Sequence, residues 1–138
     1  MASHTASTST ATRARRSVAS PLIAMQVTAV LAVLVLAWQF VTAGQLLPRG
    51  GPVALHGGGA IVLHVVTGLL TIAAILRARV GRGPWWPAVV SAGVFALTFV
   101  QAWLGEHGLL AFHVPCALLL TLGAVWVTAW SFSPAARS

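Results

Sequence analysis

Two histidines, His64 and His113, each stand inside a long apolar run, and an imidazole placed in hydrocarbon has to be satisfied by something. A neutral imidazole in that position either links helices by a hydrogen bond or ligates a metal through its unprotonated nitrogen. His56 and His107 border the same runs, and Gln39 and Gln101 set amides that need partners within neighbouring apolar segments. Glu106, beside His107, is the single acidic residue of the chain. Two deep imidazoles without a cluster of further ligands do not suit bare zinc or copper, which take more ligands at closer local spacing. A macrocycle brings its own equatorial donors and asks the protein for one imidazole on each side, so His64 and His113 point to haem b as the cofactor. Covalent attachment is excluded, because a c-type motif needs two cysteines and the chain has only Cys116.

The elements that hold these residues follow from composition. Of 138 residues, 58% are hydrophobic and only 7% are charged, which is the profile of a bilayer protein and not of a soluble domain. A net charge of +7 would suggest nucleic acid in a soluble chain. Here the arginines flank apolar runs instead of gathering on one recognition segment, so nucleic acid is not expected as a partner and the lipid bilayer is.

Residues 1–20, rich in Ser, Thr and Ala with Arg13, Arg15 and Arg16, carry no apolar period and read as a disordered basic tail. The pair Arg15-Arg16 before an apolar run also admits an export signal, but the run is longer than the roughly 7–15 residues of a signal core. The membrane domain spans 21–132, with helices at about 21–44, 56–77, 84–105 and 109–132, each long enough for a hydrocarbon core of roughly 30 Å. Residues 45–55, with Pro48, Gly50, Gly51 and Pro52, form a loop, as do Gly81, Gly83 and Pro84, while 106–108 is a tight connection that makes the last two helices antiparallel. Residues 133–138 are a short tail. The expected fold is therefore all-α, a bundle of four transmembrane helices.

Arginines set the topology. Arg13, Arg15, Arg16, Arg77, Arg79, Arg82 and Arg137 fall on one side and Arg49 alone on the other, so both termini are expected in the cytoplasm and the segments 45–55 and 106–108 outside a cell membrane. The chain also reads as two helix-pair repeats, matching Gln39 with Gln101, Gly44 with Gly105, His56 with His107 and His64 with His113. A two-fold axis along the membrane normal would then face His64 toward His113 at similar depth. Small residues surround both: Gly57, Ala60, Thr67, Gly68 and Thr71 on one helix, Ala117, Thr121 and Ala124 on the other. They either make room for a large ligand or allow close helix contact. Pro115 should bend the last helix near His113.

His56 and His107, at the outer surface, are secondary candidates for contact with the cofactor or a quinone-like partner. Gln39 and Gln101 serve either interhelical bonding or ligand positioning. Thr67 and Thr71 are candidates for hydrogen bonds around the ligands.

Four helices, histidines on the second and fourth, and the run Gln101-x-x-Leu104-Gly105 followed by His113 and Ala117 resemble one half of the haem A synthase fold. The resemblance covers about residues 22–132, and His64-x-x-x-Gly68 is similar to that family's helix 2 pattern. It implies that His64 and His113 are axial ligands. Only one half is present, no glutamate stands in the turn before His64, and the first external loop has no cysteines. The resemblance therefore implies a haem-binding four-helix module, shared in outline with small four-helix b-type cytochromes, and not haem A synthesis. With both axial positions filled, the expected work is one-electron transfer with a membrane redox partner rather than a stand-alone enzymatic reaction. A cofactor-free accessory subunit, a haem carrier or haem-modification partner, and a homo-oligomer are the alternatives that remain open.

Overall fold

The computed structural model describes residues 3–46, 51 and 53–137. Four helices follow one another: α1 (Ser3–Leu46), α2 (Val53–Val80), α3 (Trp86–Glu106) and α4 (Leu110–Phe132), with a short 3-10 turn at Pro134–Ala136. No strand occurs among the described residues. The segments Pro21–Leu46, Val53–Val80, Trp86–Glu106 and Leu110–Phe132 are each long and apolar enough to cross a membrane, so the all-helical four-span bundle expected from the sequence is what forms.

Helix ends differ from expectation in two places. α1 begins at Ser3, inside the stretch expected to be a tail. That stretch contains neither glycine nor proline before Pro21 and is rich in alanine, so it extends a helix already nucleated by the span behind it. α2 begins at Val53 and runs on to Val80. His56 therefore belongs to its first turn and is not a loop residue. At the other end Arg77 and Arg79 are good helix formers, and the helix stops at Gly81, whose N–H still bonds the Arg77 carbonyl at 3.0 Å. Arg49 and most of the first loop lie outside the described residues.

α3 starts with Pro87 in its first turn, where a missing N–H is harmless, and ends in a motif that reverses the chain. Leu109 donates to the Leu104 carbonyl at 2.9 Å and Gly108 to Gly105 at 3.1 Å. Gly108 sits at φ +67°, the left-handed conformation that this termination requires and that glycine adopts without strain. α4 then returns at once.

Each helix packs on its neighbour in the chain, and α1 closes the ring against α4, so α2 and α4 are diagonal partners across the bundle axis. The axis is layered. Toward the end that carries the 3-10 turn lie Met25, Ala29, Ala73, Ala88 and Val127; above them come Leu36, Leu63, Val94, Leu120 and Ala124. Beyond that second apolar layer the bundle turns polar. The outward faces are covered with leucine, valine, isoleucine and tryptophan side chains, as contact with lipid demands.

Candidate functional site

His56 is the fourth residue of α2 and His113 the fourth residue of α4. Equal distance from the start of two parallel diagonal helices puts both imidazoles at one level. Their ring centroids are 6.3 Å apart with an interplanar angle of 57°, and each residue is half-buried. The expected facing of His64 and His113 assumed that depth is counted from His107, but His107 caps α3 and α4 does not begin to rise until Leu110. His113 is consequently shallower than that reckoning made it, and its ring meets His56.

Both rings are held by the helix that precedes theirs. The Nδ1 of His113 lies 3.0 Å from the main-chain carbonyl of Gln101, to which it can only donate. Gly105 makes this approach possible, since a Cβ there would stand 3.1 Å from Cε1 of the ring. The Nδ1 of His56 lies 3.1 Å from the hydroxyl of Thr42, a residue only 1% exposed. That hydroxyl also reaches the carbonyls of Trp38 and Gln39, both at 3.1 Å. The Gln101 carbonyl assigns the proton of His113 to Nδ1 and leaves its Nε2 with a lone pair, while the Thr42 hydroxyl accepts from or donates to Nδ1 of His56 according to the tautomer of that ring.

The glutamines complete the layer. The side-chain oxygen of Gln39 rests where a Cβ on Gly59 would be, and lies 3.5 Å from the Thr42 hydroxyl. Gln101 contributes its main chain to His113, while its side-chain Oε1 is buried with no partner among the described residues. All four helices therefore deliver a polar group to one level: Gln39 and Thr42 from α1, His56 from α2, Gln101 from α3 and His113 from α4.

The other expected site residues lie elsewhere. His64 is deeper in α2, its Nδ1 turned onto its own helix at 2.6 Å from the Ala60 carbonyl and its ring edge-to-face on Phe99 with centroids 4.3 Å apart. Thr67 is fully buried and returns its hydroxyl to the Leu63 carbonyl at 2.7 Å, and Thr71 does the same to Thr67 at 2.9 Å. Gly68 receives the Phe95 ring, 3.3 Å from where its Cβ would stand. At Gly68, then, the absent side chain serves close contact with an aromatic ring of α3. His107 is exposed, bonds the Trp103 carbonyl at 2.8 Å and stacks near its indole at 4.5 Å. Glu106 is exposed beside it.

Thr42, Gly59 and the packing role of Gly105 were not singled out from the sequence. A signal for Thr42 existed: it follows Gln39 by three residues and so shares its helix face.

Two imidazoles on one metal, bonded at about 2.0–2.1 Å each, hold their ring centres roughly 6 Å apart. The observed 6.3 Å fits that separation. Among the described residues no third histidine, cysteine or carboxylate joins the pair, so a metal held here would have to bring its remaining ligands with it. An apolar groove of about 390 Å³ opens near the same level between α1 and α2, lined by residues including Leu31, Val35, Trp38, Leu55, Gly58 and Val62.

No family model, curated protein or solved structure matches the chain.

Proposed function

We propose that this membrane bundle binds b-type haem between α2 and α4 and serves one-electron transfer. The observation that carries the reading is the His56–His113 pair: two imidazoles from diagonal helices, ring centroids 6.3 Å apart, each with Nδ1 in a hydrogen bond to the helix before it. A metal-bound histidine ordinarily donates its other N–H in this way, which fixes the tautomer and raises ligand basicity. His113 would be one axial ligand and His56 the other, in the position that the sequence resemblance to half of haem A synthase assigned to His64.

Haem supplies a metal centre able to gain and lose one electron. The chain's own groups have separate tasks. Thr42 and the Gln101 carbonyl orient the imidazoles, and Gly105 leaves space for one of them. The aliphatic layer of Leu36, Leu63, Leu120 and Ala124 closes the site from below and keeps water out of the bundle. A haem held by His56 and His113 would supply one-electron chemistry, which favours electron transfer over a stand-alone enzyme. Placement in a cell membrane with the arginine-rich end in the cytoplasm is part of the same proposal and rests on the distribution of arginine. The redox partner, a quinone or another membrane protein, would then meet the site from the outer side.

The competing reading is a cofactor-free accessory subunit in which His56, Thr42, Gln101 and His113 only tie helices together. Adding haem to the detergent-purified chain separates the two. Binding of one equivalent, with a low-spin bis-histidine spectrum that His113→Ala abolishes, supports the proposal. No saturable uptake, or uptake indifferent to His113→Ala, leaves the four polar groups as interhelical bonds.

A further inference from the structure

At the opposite end of the bundle a guanidinium is buried without a counter-ion. Arg77, near the end of α2, is 2% exposed. Its Nη2 donates to the Ala136 carbonyl at 2.7 Å, while Nε and Nη1 are buried with no partner among the described residues. Gly81 and Gly83 fold around it, for a Cβ on either would run into Nη1. A buried unpaired charge is costly, and arginine cannot relieve that cost by losing its proton. The one acidic side chain of the sequence, Glu106, ends α3 at the other end of the bundle and does not pair with Arg77. Arg79, stacked 5.9 Å over Trp85, and Arg82 carry the same sign of charge and offer no counter-ion.

We propose that Arg77 binds one phosphate group, taken from an anionic lipid headgroup. The two unused donors, Nε and Nη1, lie on two edges of the planar guanidinium, and either can engage a phosphate oxygen together with the second N–H of Nη2. The depth is that of headgroups. Trp85 caps the start of α3 at this level, and Trp86 stacks on Trp126 at 5.1 Å and meets Trp130 at 5.2 Å, an indole cluster of the kind that marks a membrane–water interface. The turn from Gly81 to Gly83 now covers the guanidinium and must move aside for the phosphate, a movement unobstructed by side chains at those two positions. This site is independent of the histidine layer.

The test uses the full chain in nanodiscs of phosphatidylcholine, with and without phosphatidylglycerol, read by thermal unfolding and by native mass spectrometry of retained lipid. Phosphatidylglycerol is expected to raise the Tm of the natural chain and to be retained at one copy per chain. Arg77→Met is expected to lose both responses, yet to melt no lower than the natural chain in phosphatidylcholine alone, because it removes an unpaired buried charge. Arg79→Gln and Arg82→Gln should respond like the natural chain. Arg77→Lys, which keeps the charge without the fork, should need severalfold more phosphatidylglycerol and guards against a folding failure of the methionine variant. An undiminished response in both Arg77 variants, or equal loss in Arg79→Gln, overturns the site in favour of a diffuse basic surface. A full Tm shift with inorganic phosphate in the absence of anionic lipid overturns the lipid as the source of the phosphate.

Discussion

The imidazoles of His56 and His113 face each other across the bundle axis at 6.3 Å, each the fourth residue of its helix and each tethered through Nδ1 to the helix before it. This relationship makes ligand assignment testable by single substitutions. His56→Ala and His113→Ala should each abolish the bis-histidine haem spectrum, whereas His64→Ala should keep it, since His64 is committed to Ala60 and Phe99. Loss of the spectrum in His64→Ala with retention in His56→Ala would move the axial ligand two turns down α2 and restore the assignment that the sequence resemblance implies.

The hydroxyl of Thr42 is the hydrogen-bond partner of the His56 Nδ1. Thr42→Val keeps the shape and removes that partner. By the usual weight of such outer partners, haem affinity should fall about 10–100-fold, with the helical content unchanged. Affinity within twofold of the natural chain, measured by haem titration, would show that His56 is oriented by something else.

Gly105 gives His113 its space, because a Cβ at this position would stand only 3.1 Å from the ring. Gly105→Val should displace the imidazole from the Gln101 carbonyl and lower haem occupancy by roughly tenfold or more, the scale of an overpacking strain of about 1–3 kcal/mol. Circular dichroism should show the bundle intact, because Gly105 is otherwise exposed near the end of α3. Unchanged occupancy contradicts the packing role.

Two substitutions test the scaffold apart from the site. The Ser91 hydroxyl is buried with no partner among the described residues, so Ser91→Ala should leave the Tm unchanged or raise it, the removal of an unsatisfied group being worth up to about 1–3 kcal/mol. Gly108→Ala forces a side chain into φ +67° and should lower stability by about 1–2 kcal/mol without altering haem binding. A marked fall in Tm for Ser91→Ala would mean that its hydroxyl does find a partner in the folded chain.

The spans were legible in the sequence because they depend on length and apolar content alone, and Gly108 and Pro87 marked helix ends through backbone chemistry that tolerates few alternatives. The level of the histidines was harder to read. It depends on where α2 starts, and Val53, Ala54 and Leu55 look alike as loop or helix once prolines and glycines precede them. Beginning the helix at His56 left that residue at the rim and gave His64 the role of partner. The repeat suffered the same slip: Gln39 and Gln101 correspond, but the structure matches His56, not His64, to His113. Thr42 was hard to single out because a threonine in a membrane helix ordinarily bonds its own carbonyls, as Thr67, Thr71, Thr121 and Thr128 do here, and its place on the face of Gln39 does not show that a histidine of the next helix will reach it.

The most direct measurement of the central claim is a reduced-minus-oxidised absorption spectrum of the detergent-purified chain, expressed with a haem supply and normalised to protein. A b-type α-band, at one haem per chain and absent from both His56→Ala and His113→Ala, is the predicted result. A chain that folds, carries its four helices and shows no such band after haem is supplied would contradict the account.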